Sequence, residues 1–250
     1  MTEESTVAQP PVPRLAATLL LLREAPIEVL MVRRNSRGTF ASALVFPGGV
    51  HAEEDMAEDW AGLIAWSGEA DRERSLRICA LRETFEETGV LPLVDPAGQV
   101  SAHQPDQPDV PFMEIVRASG MKLPLDQLVH FAHWITPEFA PKRFDTHFYA
   151  LAAPDCGHAR SDGAETVSLE WRAPAGVIAS ETGLPFPTRL NLLRLTESPT
   201  LDHVIEASRM RPRCTVLPRL VEREDGNVVV IPSEAGYSIT EEPRGGVRVR

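Results

Sequence analysis

One acidic segment constrains the fold of this 250-residue chain more than any other. It reads LRETFEETGV and places Glu83, Glu86 and Glu87 at positions i, i+3 and i+4. On a helix the three carboxylates fall within one narrow arc, at ~100° per residue. Like charges at this spacing destabilise a helix by roughly a few tenths of a kcal/mol per pair in water. The chain must therefore gain something from keeping them together.

The helix that carries these glutamates is expected to span residues 71–88. Asp71 and Glu73 suit its first turn, and Gly89 suits the left-handed position after its end. Apolar side chains occupy both of its sides, with Leu76, Cys79 and Ala80 on one and Ile78, Leu81 and Phe85 on the other. A helix that is apolar on both sides is mostly buried, so its carboxylates are expected to face a cleft rather than bulk water.

Partly buried carboxylates at this density indicate a cation site. All-oxygen ligation suits hard divalent ions, with Mg²⁺ the first candidate and Mn²⁺ the second. A solvated acidic face is the alternative, and the apolar character of the helix argues against it. Upstream, VFPGGV brings in Gly48 and Gly49, which permit a backbone turn and a close approach to a ligand.

The order of these residues resembles the signature of the Nudix hydrolases. The matching positions are Arg82, Glu83, Glu86, Glu87, Gly89 and Val90. Thr84 stands where the family usually has an aliphatic residue. Arg82 follows Gly49 by 33 residues instead of the family's fourteen, which implies an insertion of 19. The early acidic position of the signature then falls at Glu53, Glu54 or Asp55, and the choice stays open.

An interrupted signature of this kind is similar to one Nudix branch, the coenzyme A and acyl-CoA diphosphatases of the peroxisomal type. HWITPEFAPKRFDTHFYAL and LPFPTRLNLLRL also resemble that branch, and the resemblance spans about residues 14–195. It implies an α/β (α+β) fold, a Nudix α/β/α sandwich with a mixed sheet. A helical insertion would interrupt the signature, and a C-terminal helix-plus-hairpin extension would follow.

The resemblance also implies roles for individual residues. One to three Mg²⁺ or Mn²⁺ ions would be held by the carbonyl of Gly49 and the carboxylates of Glu83, Glu86 and Glu87. Arg82 would orient the glutamates. The general base is open between Glu83 and Glu165, which lies on a later loop. Arg33 and Arg34 end a strand and could hold substrate phosphates, although surface arginines are the commoner explanation.

The substrate implied is a small nucleotide, most directly the diphosphate of CoA or acyl-CoA. Cleavage would give 3′,5′-ADP and a 4′-phosphopantetheine derivative. Two alternatives stay open: a Nudix pyrophosphatase for ADP-ribose, a dinucleoside polyphosphate or a nucleotide sugar, and a non-catalytic nucleotide-binding module. The three intact glutamates argue against the second, because a pure binder does not need them.

Hydrophobic patterning predicts strands over 14–23, 27–34, 90–94, 128–137, 143–153 and 166–172. Helices are expected near 54–67, 112–120, 174–181, 185–198 and 199–210, a loop over 95–111, and a hairpin at Asp225-Gly226. The predicted organisation is a disordered tail (1–13), a Nudix domain (14–181, insertion about 52–72) and a C-terminal extension (182–250).

Composition excludes some classes of function. A net charge of −11 argues against binding nucleic acid by bulk attraction. The scattered cysteines, Cys79, Cys156 and Cys214, indicate reduced thiols in a cytoplasmic protein. No signal peptide or membrane-spanning segment is evident. Trp60 and Trp66 could contribute to a homodimer interface or to the core. His51, His133 and His147 show no metal-ligand spacing and are interpreted as structural or surface groups.

Overall fold

The computed structural model describes residues 10–24, 26–34, 43–105, 110–152 and 166–247. Its strands are β1 (Arg14–Arg23), β2 (Glu28–Arg34), β3 (Leu44–Val45), β4 (Gly48–Val50), β5 (Leu91–Val94), β6 (Val100–His103), β7 (Val129–Ile135), β8 (Phe144–Ala152), β9 (Thr166–Arg172), β10 (Thr215–Val216), β11 (Arg219–Arg223), β12 (Gly226–Val230) and β13 (Glu241–Pro243). Its α-helices are α1 (Asp71–Thr88), α2 (Phe112–Ser119), α3 (Pro174–Ser180), α4 (Phe186–Thr196) and α5 (Leu201–Met210).

Strand β1 is the centre of a mixed sheet that contains eight of the described strands. It runs parallel to β8 along most of its length and antiparallel to β2 and β4 at its two ends. Strand β7 extends the sheet antiparallel to β8, and β10 pairs with β7. Because β1 lies inside the sheet and is covered on both faces, its leucine run has no polar alternation.

Two apolar cores lie on opposite faces of this sheet. Leu19 and Leu21 of β1 face the core that contains α1 and α2. Leu20 and Leu22 face the core formed with α4 and α5. The alternation follows from the period of two along a strand. The predicted α/β/α sandwich with a mixed sheet is confirmed.

Helix α1 has the predicted bounds, and it is followed by Gly89, whose φ of 68° is left-handed. Its apolar sides have different partners. The sheet covers one, while on the other the ring of Phe85 lies 5.7 Å from Phe112 of α2, which lies 5.6 Å from Trp60 of the insertion. Trp60 is 1% exposed, so this side chain is part of the core and not of a surface for a second copy.

The insertion and the loop after β5 differ from the prediction. Instead of an α-helix over 54–67, the chain forms two short 3₁₀ turns, Glu53–Met56 and Glu58–Gly62, because buried Trp60 and Asp55 anchor it to the core. The expected exposed loop over 95–111 contains β6, which pairs with β5. A turn at Asp95 makes this possible, since its carboxylate accepts hydrogen bonds from the backbone of Ala97 and Gln99 at 2.9 Å.

The C-terminal segment forms the predicted hairpin from β11 and β12. Buried hydrogen bonds join it to the sheet: Trp134 Nε1 donates to Tyr237 Oη at 2.9 Å, and that hydroxyl donates to Asn191 at 2.6 Å. The predicted domain boundaries stay a prediction, and most of the expected N-terminal tail lies outside the described residues. Among the described residues, no helix is long and apolar enough to cross a membrane.

Candidate active site

Arg82 is the centre of the polar network on α1. Its side chain is buried, and its Nε and Nη2 donate to the carboxylate of Asp55 at 2.8 and 3.0 Å. The same carboxylate accepts from the backbone N–H of Ala52 at 2.9 Å. Asp55 is fully buried, whereas the side chain of Glu54 is 60% exposed and lies 3.4 Å from Nε. Asp55 is therefore the residue of the insertion that forms the buried pair with this arginine.

The other terminal nitrogen of Arg82 faces two of the predicted metal ligands. Nη1 donates to Glu83 Oε1 and to Glu86 Oε2, both at 2.9 Å. Burial raises the pKa of both carboxyls, and the charge of Arg82 offsets only part of the rise. For the arginine itself, burial lowers the pKa, but hydrogen bonding and charge from Asp55 outweigh burial and leave it raised. The two glutamates thus lie close together with uncompensated negative charge.

Glu87 is held from the side of β2 and β4. It is 4% exposed, and its Oε2 accepts from the backbone N–H of Gly48 at 3.0 Å. Arg34 Nη2 donates to Glu87 Oε1 at 3.2 Å and to the Gly48 carbonyl at 3.0 Å. Arg34 therefore fixes the third glutamate against the glycine turn.

The two glycines of VFPGGV are required by close contacts. A Cβ at Gly48 would lie 2.6 Å from the backbone oxygen of Ala17, and φ there is 157°. A Cβ at Gly49 would lie 2.2 Å from Glu83 Oε2. The backbone of β4 thus packs directly against the carboxylate of Glu83, and a residue larger than glycine would not fit there.

A cavity of about 720 Å³ opens beside this network. Its polar lining includes Glu83, Glu86, Glu87, Arg34 and Arg14. The apolar part of its wall is formed by aromatic and proline side chains, namely Phe46, Trp134, Phe144, Phe148, Pro185, Phe186, Pro187 and Pro218. One cavity therefore combines a carboxylate cluster with a large aromatic and proline surface.

The sequence-predicted residues divide into three groups. Arg82, Glu83, Glu86, Glu87, Gly49 and Arg34 come together around the carboxylate cluster. Arg33 projects to the other side of β2, where its guanidinium donates to Glu181 at 2.6 and 3.2 Å, and it is not among the described residues that line the cavity. Glu165 lies outside the described residues. The phosphate-binding role of Arg33 and the general-base role of Glu165 stay predictions.

Sequence reasoning missed Arg14. Its side chain lines the cavity, and no carboxylate of the described residues forms an ion pair with it. The only available signal was the period of two along β1, which places Arg14, Ala16 and Thr18 on one face. That pattern becomes informative only when the position of the cavity is known.

The residues present fit a divalent metal ion. Two guanidinium groups, Arg34 and Arg82, face four carboxylates, those of Asp55, Glu83, Glu86 and Glu87. The donors nearest the cavity are all oxygen atoms, the ligands that hard cations such as Mg²⁺ prefer. Burial is the main cause that raises the pKa of Glu83 and Glu86, and a bound dication would offset it by stabilising the charged carboxylates.

Comparison with known proteins agrees with this geometry. Residues 67–184 match the family model of the NUDT19 Nudix domain. The chain is similar to the acyl-coenzyme A diphosphatase NUDT19 of Gallus gallus, with 25% identity over 301 aligned residues that cover 90% of this chain and 79% of that protein. It is 30% identical to the putative nudix hydrolase 7 of Caenorhabditis elegans, over 74% of this chain and 61% of that protein.

A solved structure supports the same relationship. The NUDIX hydrolase of Alicyclobacillus acidocaldarius superposes with a TM-score of 0.69 and 28% sequence identity. The superposition covers 80% of this chain and 99% of that chain. The similarity therefore extends beyond the signature helix to most of the fold.

Proposed function

Because the chain belongs to the Nudix hydrolase superfamily, we propose that it is a metal-dependent diphosphatase that cleaves the diphosphate of coenzyme A or acyl-coenzyme A. The products would be 3′,5′-ADP and 4′-phosphopantetheine or its acyl derivative. The observation that carries this proposal is the cavity, in which the carboxylate cluster and a large apolar wall lie together. Its volume of about 720 Å³ falls within the range of small-molecule sites, roughly 300–1,000 Å³.

The metal site would be formed by Glu83, Glu86, Glu87 and the carbonyl of Gly49. Mg²⁺ or Mn²⁺ bound there would neutralise phosphate oxygens and lower the pKa of a coordinated water. Arg82 orients the carboxylates of Glu83 and Glu86 through hydrogen bonds, and Arg34 orients that of Glu87. Phosphoryl transfer depends mainly on positioning and on charge stabilisation, and a metal ion held by these carboxylates would supply both.

The remaining cavity would bind the two arms of the substrate. Arg14 offers a positive charge without an ion-pair partner among the described residues, which suits a phosphate group of the nucleotide. The wall that includes Trp134, Phe148 and Phe186 suits the pantetheine arm and an acyl chain, because apolar surface gains free energy on leaving water, at about 25 cal/mol per Å².

Two residues are candidates for the general base, Glu83 and Glu165. Glu83 has a raised pKa because it is buried, which brings a carboxylate closer to the range in which it accepts a proton efficiently. Glu165→Gln separates the two, because Glu165 is not among the proposed metal ligands: a loss of turnover with unchanged Mg²⁺ affinity would identify Glu165 as the base, and near wild-type turnover would leave Glu83.

The test is a substrate panel of CoA, an acyl-CoA, ADP-ribose, a dinucleoside polyphosphate and a nucleotide sugar, incubated with Mg²⁺ and read by product mass. We expect 3′,5′-ADP from CoA or acyl-CoA. Glu86→Gln should lower kcat at least 100-fold, while the matched variant Glu54→Gln should stay near wild type because that side chain is mostly exposed. Cleavage of ADP-ribose with CoA intact would refute the substrate, and full activity of Glu86→Gln would refute the metal site.

A further inference from the structure

A second cluster of ligand-type side chains lies on the face of β7 and β8 opposite the cavity. His133 of β7 pairs directly with His147 of β8, and Asp145 shares the face of His147 because it is two residues away. One ligand atom from each of these three residues lies within 4.8 Å of the others. The alternate residues of β8, Phe144 and Thr146, face the cavity instead.

His147 is the most buried member of this cluster. It is 8% exposed, and neither of its ring nitrogens has a hydrogen-bond partner among the described residues. Asp145 Oδ1 lies 3.6 Å from its Nε2, beyond hydrogen-bond distance. Burial is the main cause that lowers the pKa of His147 to about 4, so its imidazole is neutral at physiological pH. Buried nitrogens are almost always hydrogen-bonded, so two on one ring require an explanation such as an ion.

The neighbours of the cluster orient its other two members. Thr215 Oγ1 lies 2.8 Å from Nδ1 of His133, whose Nε2 lies 2.5 Å from Asp145 Oδ1. Arg72 Nη2 donates to the second oxygen of Asp145 at 3.1 Å. The contact with Asp145 places the proton on Nε2, so Nδ1 accepts from the threonine hydroxyl; a metal ion would replace the proton on Nε2, and Nδ1–H would then donate to Thr215. Metal-binding histidines and carboxylates typically have outer partners of this kind.

We propose that His133, Asp145 and His147 bind a divalent transition-metal ion of the Zn²⁺ class. Two imidazole nitrogens and one carboxylate oxygen suit such an ion at ligand distances of about 2.0–2.2 Å, with a fourth position for water. The rings of His133 and His147 stack with centroids 4.0 Å apart and an interplanar angle of 18°, so metal binding requires them to rotate until their lone pairs converge. The ion would stabilise the pairing of β7 with β8 and, through Thr215, the attachment of β10.

This site is distinct from the carboxylate cluster. Arg72, which contacts Asp145, precedes Glu83 by three turns of α1, about 16 Å along the helix axis. The ligand types also differ, since the first cluster offers only oxygen. The proposal therefore does not depend on diphosphatase activity, and its test uses metal binding and stability.

The experiment is a zinc titration of the full chain after chelation, in excess Mg²⁺ to occupy the carboxylate cluster, with a chromophoric zinc indicator as competitor. We expect about one Zn²⁺ per chain and a rise in Tm on binding. His147→Phe and Asp145→Asn should weaken the affinity more than about 100-fold, and Thr215→Val about 10- to 100-fold. The matched control His203→Ala removes an exposed histidine and should change nothing.

Cys214→Ser checks that the nearby thiol is not the ligand, and its affinity should equal that of wild type. If His147→Phe does not fold, Asp145→Asn decides, because it keeps the shape of the side chain. Co²⁺ provides a second readout through visible ligand-field absorption, which should vanish in Asp145→Asn. Wild-type protein without a Zn²⁺ equivalent, or variants with unchanged affinity, would overturn the proposal.

Discussion

Replacing Asp55 with asparagine removes the negative charge from the buried pair with Arg82 while keeping the shape of the side chain. The carboxylate accepts three hydrogen bonds, two from the guanidinium and one from the backbone of Ala52. Asparagine has one oxygen to accept them, and its amide group would face a donor. The substitution therefore leaves a buried cation with an unmatched N–H.

The magnitude follows from these contacts. Removing one partner of a buried ion pair costs about 3–5 kcal/mol. Arg82 keeps Glu83 and Glu86 as neighbours, so the cost for Asp55→Asn should lie at the lower end, about 3 kcal/mol. For a chain of 250 residues this corresponds to a fall in Tm of about 6–12 °C. Asp55→Ala loses every acceptor and should cost about 5 kcal/mol.

The assay is urea unfolding monitored by tryptophan fluorescence, since Trp60 and Trp134 are buried. Equal m-values in wild type and variant would show that the midpoint reports stability. The matched control is Glu54→Gln, whose carboxylate lies 3.4 Å from the same Nε but is 60% exposed. An exposed ion pair of this kind contributes about 0–1 kcal/mol. The reasoning fails if Asp55→Asn costs less than about 1 kcal/mol, or if Glu54→Gln costs as much.

Three further predictions concern the carboxylate cluster. Gly49→Ala should displace Glu83 and lower kcat about 100-fold with little loss of Tm, because a Cβ there lies 2.2 Å from the carboxylate; unchanged kcat would contradict the close contact. Arg34→Ala should lower kcat/KM at least 10-fold, whereas Arg33→Ala should stay within about 3-fold, because only the first side chain lines the cavity; equal effects would mean that both arginines reach the substrate. The third prediction concerns pH in the presence of EDTA, which removes the metal. Because the pKa of Glu83 and Glu86 is raised in the folded state, the folded protein binds these protons more tightly than the unfolded chain. Their contribution to stability is therefore present at low pH and lost as the pH rises through the raised pKa. Melting curves at pH 5 and pH 8 should therefore show wild type losing Tm relative to Glu83→Gln on going to pH 8, and Mg²⁺ should remove the difference; a gain relative to the variant would reverse the sign and refute the shift.

Several elements were predictable because their causes are local. Helix α1 has its predicted bounds since its apolar periodicity and the glycine after it, Gly89, depend on adjacent residues alone. The same holds for the leucine run of β1 and for the hairpin of β11 and β12. The carboxylate cluster was predictable for the same reason, because one helical arc carries Glu83, Glu86 and Glu87 together.

The conformation of the insertion could not be predicted from local sequence. Glu53, Glu54 and Asp55 are consecutive acidic residues, and composition does not distinguish them. Only the path of the 3₁₀ turns, anchored by Trp60, points the third carboxylate at Arg82. Strand β6 was missed in the same way, because its stability comes from pairing with β5 rather than from its own side chains.

The sequence by itself determined the signature helix, its glutamates and the glycine turn, because these depend on helical spacing and on backbone freedom over a few residues. Tertiary structure alone decided which arginine faces the cavity, that Arg14 and the aromatic wall line it, and that His133 meets His147 and Asp145. Residues that are distant along the chain become neighbours through strand pairing and packing. The alternation of a strand shows only that Arg33 and Arg34 face opposite sides, and the surrounding fold decides which side holds the site.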